Sequence, residues 1–204
     1  LKKYYNYEIS FSEVTISVFR ENFIDAYGYF TSSSSEGFMA IPSSLTKDTD
    51  SSNDSNFLLD VSTLILIFDI HKQLNINFTN KFFISPYIIE FIEGTIIDIR
   101  FSKSSTLSVD ITLEGIRPIF YPDDFHEKRK EYFEELLNWV KANCVPVVIE
   151  RRVNFHPRFA SENDAKLLSK IIIDNCLALE DGYYLITNDN FILKNFPQIS
   201  NKIV

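Results

Sequence analysis

The stretch FLLDVSTLILIFDI, residues 57–70, places an acidic residue inside the most apolar part of the chain. Ten of its fourteen residues are strongly apolar, yet Asp60 stands between Leu59 and Val61. A buried carboxylate destabilises a fold unless it is paired, hydrogen-bonded or bound to a metal. The stretch therefore predicts a short buried strand that ends at Asp60 and a helix that follows it, with the carboxylate emerging where the strand ends.

On the C-terminal side of this stretch, short apolar segments alternate with helical patterns. The predicted strands are 57–60, 81–84, 145–150 and 183–187. The predicted helices are 62–72, 85–93, 123–141 and a long one between Ser161 and Gly182, and residues 95–120 are expected to form a less regular, partly β insertion. Strands that alternate with helices indicate βαβ units and a parallel sheet. The predicted fold class is α/β, a three-layer α/β/α sandwich with a mostly parallel central sheet.

The N-terminal quarter differs from the rest in composition. Apolar residues fall at helical spacing between Val14 and Phe30, whereas residues 43–56 are rich in Ser, Asp and Asn. Such polar segments are typical of flexible linkers. We therefore predict a strand and helix arm over 1–30, a Ser/Asp-rich linker over 31–56 and an α/β domain over 57–204. The chain begins without Met, and we interpret it as a piece of a longer protein.

The overall charge and the cysteine content narrow the function classes. The chain has 204 residues and a formal net charge of −8 at pH 7, which argues against binding nucleic acid by bulk electrostatics but fits a metal site. Its two cysteines are predicted to be reduced thiols rather than a disulfide. We predict a cytoplasmic protein without a membrane contact, because no apolar run is long enough to span a bilayer and no signal peptide is evident.

Several carboxylates follow the predicted strands. Asp60 closes the first strand, Glu90 lies on the helix after the second, and Asp189 follows the last. A fourth comes from the long helix, as Asp174 or Asp164. In open parallel sheets, sites form at the carboxyl ends of the strands. Carboxylates gathered there from separate segments suit a hard cation such as Mg²⁺ or Mn²⁺.

Three of these segments resemble the motifs of PIN-type nuclease domains. LLDVSTLILIF is similar to the family's opening strand, which ends in Asp before a Leu-rich helix. FFISPYIIEFI resembles its second strand and acid-bearing helix, and ALEDGYYLITNDN resembles its closing helix, strand and acidic pair. YFEELLNWVKAN looks like the Trp-containing helix of bacterial PIN-like domains that are attached to larger proteins. The resemblance covers about residues 57–196.

The resemblance implies roles for particular residues. Asp60, Glu90 and Asp189 match the family's metal ligands, and Ser62 and Thr187 match supporting hydroxyls that orient them. The family's remaining acid falls on the long helix about eleven residues before the closing Gly, where this chain has Ile171. As the substitute for that acid we prefer Asp174, one turn later, to Asp164, about two turns earlier.

The resemblance also implies a function and partners. It predicts an endoribonuclease that uses Mg²⁺ or Mn²⁺ and hydrolyses phosphodiesters with metal-activated water, with RNA as substrate and DNA as the alternative. It further predicts that other domains of a longer parent chain are partners. The displaced fourth acid favours a different function, a catalytically incomplete PIN-like domain that acts as a binding or regulatory module. The sequence leaves open a homodimer with a crevice shared by two protomers.

Each candidate residue also has an ordinary structural interpretation. Asp60 is suited to cap the following helix and Asp189 to stabilise a turn. Glu90 is suited to lie in solvent on its helix, and Glu93, one turn later, is then the alternative metal ligand. Arg151 and Arg152 form a basic cluster that either contacts a phosphate backbone or is simply solvated. A flavodoxin-like or receiver-like domain is a third fold, and in it Asp60, Glu90 and Asp189 would not converge.

Overall fold

The computed structural model describes most of the predicted α/β domain. The described residues are 56–101, 107–112, 115–120, 122–147, 163–187 and 189, together with 3, 6, 8, 9, 11, 14 and 15.

In the part of the chain that the structure describes, four short parallel strands form the central sheet. They are β1 (Phe57–Leu59), β2 (Phe82–Ile84), β5 (Cys144–Pro146) and β6 (Tyr184–Ile186), in the order β5-β2-β1-β6. Every neighbouring pair in this sheet is parallel. β3 (Leu107–Thr112) and β4 (Gly115–Phe120) form a separate antiparallel hairpin, which agrees with the partly β insertion expected in this region.

Both faces of the sheet are buried, as β1 shows. Successive strand residues point to opposite faces, and here Leu58 and Leu59 belong to two different apolar clusters. Leu59 packs in the larger cluster with Ile84, whereas Leu58 packs with Leu185 and Leu179 on the other side. A central strand that is apolar on both faces needs a helical layer on each. The predicted three-layer α/β/α fold is confirmed.

Among the described residues, four helices pack around the sheet. They are α1 (Val61–Leu74), α2 (Pro86–Phe101), α3 (Phe125–Asn143) and α4 (Asn163–Glu180). α2 packs against both α3 and α4. The buried residues of α3 include Trp139, whose ring packs near those of Phe68 and Phe82, so the Trp-containing helix noted in the sequence closes one side of the core.

One prediction about the second helix was wrong. We expected it to end near Glu93, with TIIDIRF at 95–101 belonging to a partly β insertion, but α2 runs to Phe101. Ile88, Ile92 and Ile96 are buried at intervals of four residues, which is one face of a helix. The short alternation of apolar and polar residues in TIIDIRF fitted a strand locally, and packing against α3 decided in favour of the helix.

The N-terminal segment contributes to the same core. Phe11 is 3% exposed and Val14 is fully buried, and both belong to the larger apolar cluster of the α/β domain. The predicted linker, apart from residue 56, lies outside the described residues, so the proposed division into arm, linker and domain stays a prediction.

Two predictions from the sequence, reduced cysteines and the lack of a membrane-spanning helix, can be compared with the described residues. Cys144 and Cys176 are both free thiols, as predicted, and burial raises the pKa of Cys144 to about 12. Within the described part of the chain, no helix combines the length and apolar character that crossing a bilayer requires.

A glycine ends α4 before the last strand. Gly182 has a φ of +97°, a left-handed conformation. Its N–H donates to the carbonyl of Leu179 at 3.4 Å, and the N–H of Tyr183 donates to the carbonyl of Ala178 at 3.1 Å. This is the Schellman arrangement, in which a left-handed residue satisfies the last carbonyls of a helix. It turns the chain directly into β6 and so fixes where Thr187 and Asp189 lie.

Two glycine substitutions are expected to change stability in opposite directions. Gly182→Ala should lower the free energy of unfolding by about 1 kcal/mol because a Cβ disfavours positive φ. Gly94→Ala, in the middle of α2, should raise it by about 1 kcal/mol because Ala is the better helix former. No heavy atom lies within 4 Å of the Cβ added at either position, so backbone conformation alone is compared. Urea denaturation measures both, and equal shifts of the two variants would contradict the expectation.

Candidate functional site

Three polar residues stand side by side at the carboxyl edge of the sheet. Leu59 pairs in register with Ile84 on one side and with Ile186 on the other, and these three residues end their strands. The next residues are Asp60, Ser85 and Thr187. Neighbouring strands lie roughly 4.8 Å apart, so register alone brings the backbones of these three residues together.

Asp60 occupies the centre of this row and is 9% exposed. Its Oδ1 accepts hydrogen bonds from the Thr63 N–H at 2.7 Å and from the Ser62 hydroxyl at 3.0 Å. Asp60 therefore caps α1, the structural role that the sequence also suggested for it. Its Oδ2 accepts from the Thr187 hydroxyl, so the carboxylate also joins two strands, which a cap alone does not require.

Burial dominates the ionisation of Asp60. Desolvation raises the pKa of its carboxyl group above 3.8, while hydrogen bonds from Thr187, Thr63 and Ser62 act in the opposite direction. A nearby cation would favour the charged form and lower this pKa. The desolvated carboxylate is thus suited to a positively charged ligand.

Thr187 links Asp60 to the last acidic candidate. While the Thr187 hydroxyl donates to Asp60, its oxygen accepts the backbone N–H of Asp189 at 3.0 Å. Asp189 is 6% exposed, and its Oδ2 accepts the backbone N–H of Phe11 at 2.8 Å. A continuous hydrogen-bond network therefore runs from Ser62 through Asp60 and Thr187 to Asp189 and the N-terminal segment.

Asp174 reaches the same edge from α4. Its Oδ2 accepts the hydroxyl of Ser85 at 2.6 Å, and burial raises the pKa of its carboxyl group while the Ser85 hydrogen bond opposes that effect. Ile171, at the position where the resemblance expects an acid, is 2% exposed and lies in the apolar core. The contact with Ser85 favours Asp174 as the fourth acid. The side chain of Asp164 lies outside the described part.

Glu90 has a different environment. It is exposed on α2, one turn beyond Tyr87. Glu93, the alternative, is also exposed and forms an ion pair with Lys141 at 3.0 Å. The role of Glu90 as a ligand stays a prediction. Arg151 and Arg152, the predicted phosphate contacts, lie outside the described residues.

The described residues supply suitable donors without an assembled metal cluster. Among them, no group of three or more His, Cys, Asp and Glu side chains is placed to hold a metal ion. Asp60, Asp174 and Asp189 nevertheless offer carboxylate oxygens at or beside one sheet edge, and oxygen donors of this kind suit Mg²⁺ and Mn²⁺. The donor chemistry and the desolvation of Asp60 fit a divalent cation.

Two groups that hydrogen-bond the candidate carboxylates, the Ser85 hydroxyl and the Phe11 N–H, were not predicted from the sequence. Ser85 was predicted only as the start of a helix, and its Oγ does accept the Tyr87 N–H at 3.3 Å. Its hydrogen bond to Asp174 spans 89 positions of sequence. A hydroxyl residue directly after a strand was the available signal. The bond between Phe11 and Asp189 spans 178 positions, and no local pattern announces a backbone donor.

A comparison with protein families matches the part of the chain that contains this site. The model of a family described as a PIN domain associated with the TPR-GreAB-C-PIN system matches residues 58–195. Searches of curated proteins and of solved structures gave no match. The matched range contains both strand–acid motifs, the Trp-containing helix and the closing segment with Thr187 and Asp189.

Proposed function

The chain belongs to this PIN-domain family, and from that premise we propose that it is a divalent-metal-dependent nuclease that cleaves RNA. Mg²⁺ or Mn²⁺ is the proposed cofactor, held by Asp60, Asp174 and Asp189 with Glu90 approaching from α2. DNA is the alternative substrate. Other domains of a larger protein are the proposed partners, because the family's description names an associated system.

One observation carries this proposal. Asp60 and Asp189 are joined through a single hydroxyl, that of Thr187. Asp174 is bonded to Ser85, whose strand neighbours that of Asp60 in register. Carboxylates from segments far apart in sequence thus lie at or beside neighbouring strand ends. A buried carboxylate such as that of Asp60 is unfavourable unless a cation, a proton or hydrogen bonds compensate its charge, so the arrangement supports a cation site.

The chain's own groups have separable roles in the proposed reaction. When bound, a divalent cation supplies a water of lowered pKa and neutralises charge that develops on the phosphate. Ser62 and Thr187 donate hydrogen bonds to Asp60 and fix the direction in which its carboxylate points. Ser85 does the same for Asp174. These donors hold the carboxylates in place before substrate binds, so less reorganisation accompanies the reaction.

Titration with Mn²⁺ tests the proposal. A cation that binds only the folded state should raise the free energy of unfolding by about 2.7 kcal/mol at a concentration one hundred times its dissociation constant. We therefore expect the melting temperature to rise with Mn²⁺ and to return to its initial value with EDTA. The same protein should cleave a single-stranded RNA with Mn²⁺ and leave it intact with EDTA.

The controls separate this site from unspecific binding of cations. Glu135 is an exposed carboxylate on α3 that pairs with Lys72, so Glu135→Gln should leave the Mn²⁺ response unchanged. An unchanged melting temperature together with intact RNA at every Mn²⁺ concentration would refute the nuclease proposal.

A second function is favoured by specific observations. Ile171 is buried where the family's acid is expected, and Asp189 gives one carboxylate oxygen to the backbone of Phe11. Both observations favour a catalytically incomplete PIN-like module that binds a partner. Mn²⁺-independent stability combined with unchanged RNA is the result that this second function predicts.

A further inference from the structure

A lysine and a tyrosine lie together beside the candidate site. The Nζ of Lys170, on α4, lies 4.5 Å from the centre of the Tyr87 ring, on the first turn of α2. Lys170 is exposed and Tyr87 is half-buried. An ammonium over an aromatic face is attracted by the ring's quadrupole. The ring therefore gives a long, flexible side chain a preferred position without neutralising its charge.

Hydrogen bonds connect this pair to the strand ends. The Tyr87 N–H donates to Ser85 Oγ, and the Ser85 hydroxyl donates to Asp174. Asp174 lies one helical turn after Lys170 on α4, and the positive charge of Lys170 acts on its carboxylate. The ammonium thus lies on the side of the site that carries Asp174, one of the carboxylates proposed to hold the cation.

Other lysines of the described helices differ from Lys170 in their ion pairs, although Lys72 also lies over a ring, that of Tyr132, at 5.7 Å from its centre. Four of them pair with carboxylates at surface positions. They are Lys72, Lys128, Lys130 and Lys141. In a chain with a net charge of −8, a polyanionic substrate requires local positive charge near the acidic edge. Lys170 places a cation there against a ring.

We propose that Lys170 binds a phosphate of the nucleic-acid backbone next to the scissile bond, with Tyr87 as the residue that positions it. The inference rests on the proposed function, since it assigns substrate contact to the edge that carries the carboxylates. Lysine acts as a point charge toward phosphate oxygens, so this contact reads the backbone and carries no base preference. Asp174 and Lys170, one turn apart, then face the cation and the substrate respectively.

Binding measured without metal tests the inference apart from cleavage. The probe is a short fluorescein-labelled single-stranded RNA in EDTA, titrated with the protein at several salt concentrations and followed by fluorescence anisotropy. Each phosphate contact with a single strand contributes about 0.7 to the slope of log affinity against log salt. Lys170→Gln should reduce this slope by about 0.7 and weaken binding equally for different sequences, whereas Lys170→Arg should retain it.

Tyrosine variants and a charge-matched control complete the experiment. Tyr87→Leu should weaken binding about two- to fivefold, the range of a surface cation–π contact, whereas Tyr87→Phe keeps the ring and should bind like the unaltered protein. Lys128→Gln removes the same charge from an exposed lysine that pairs with Asp124 and should leave the slope unchanged.

The outcomes separate this inference from the nuclease proposal. Equal slopes for Lys170→Gln and Lys128→Gln, or no RNA affinity of the unaltered protein at low salt, would overturn the role of Lys170. RNA cleavage with Mn²⁺ alongside equal slopes would leave the nuclease proposal intact. A slope that depends on Lys170, in a protein that never cleaves RNA, would support the phosphate contact and refute the nuclease.

Discussion

Asp60→Asn is expected to lower the rate of Mn²⁺-dependent RNA cleavage about a thousandfold. A bound cation contributes several kcal/mol of charge stabilisation, and each 1.4 kcal/mol corresponds to a factor of ten in rate. The asparagine keeps an acceptor oxygen for the Thr63 N–H and Ser62 hydroxyl that Asp60 binds now. Its amide nitrogen replaces the oxygen that accepts from Thr187, so the Thr187 hydroxyl turns and accepts from the amide instead. The structure therefore survives while the central negative charge is lost. Initial rates at saturating Mn²⁺ measure the effect.

The same substitution should stabilise the metal-free protein at neutral pH. Burial raises the pKa of Asp60 above 3.8, so the folded state holds this proton more tightly than the unfolded state does. The stabilising contribution is complete below pH 3.8 and is lost as the pH rises through the folded-state pKa. Asp60→Asn removes that loss. We expect a gain of about 1 kcal/mol at pH 7, as is common when a functional site is neutralised, and none at low pH.

A second aspartate on the same helix provides the control. Asp69 accepts the Tyr132 hydroxyl at 2.7 Å, and burial raises its pKa too. Asp69 lies nine positions beyond Asp60 in the chain, toward the other end of α1. Asp69→Asn should therefore leave RNA cleavage and the Mn²⁺ response unchanged. If both variants lost activity equally, or if neither did, Asp60 would have no special role in the reaction.

Thr187→Val is expected to damage stability and function together. Its hydroxyl serves two buried groups, the Asp60 carboxylate as donor and the Asp189 N–H as acceptor. Valine has nearly the same shape but removes the bonds to Asp60 Oδ2 and to the Asp189 N–H, at about 1–3 kcal/mol for each. Misorientation of the carboxylates should also weaken Mn²⁺ binding by about 10–100-fold, the range for residues that orient metal ligands. Urea denaturation and the Mn²⁺ dependence of melting measure the two effects.

Thr187→Ser separates the hydroxyl from the methyl group. Serine retains the donor and the acceptor, so Mn²⁺ affinity should stay within about threefold of that of the unaltered protein and only a modest packing loss should remain. If serine and valine weakened Mn²⁺ binding equally, the methyl group would matter and the hydrogen-bond network would not orient the carboxylates.

Local signals were sufficient for most of the fold. A short strand before Asp60, the helix start at Ser85–Pro86 and the helix end at Gly182 each depend on nearby residues, and the structure has all three. The extent of α2 was not predictable in this way. TIIDIRF satisfies both a strand and a helix over seven residues, and only contact with α3 and α4 distinguishes them.

The candidate site, too, was predictable from the sequence only in part. The sequence by itself determined, to within one residue, that two buried strands end at Asp60 and Thr187, because apolar runs and the polar residues after them mark strand ends. In the structure these strands end at Leu59 and Ile186. Tertiary structure alone decided that Thr187 bonds Asp60, that Ser85 selects Asp174, and that the backbone of Phe11 reaches Asp189. Strand order and register set these meetings, since parallel pairing aligns strand ends that lie up to 127 residues apart. Residue type therefore identifies the candidate site residues, and strand pairing brings them close in space.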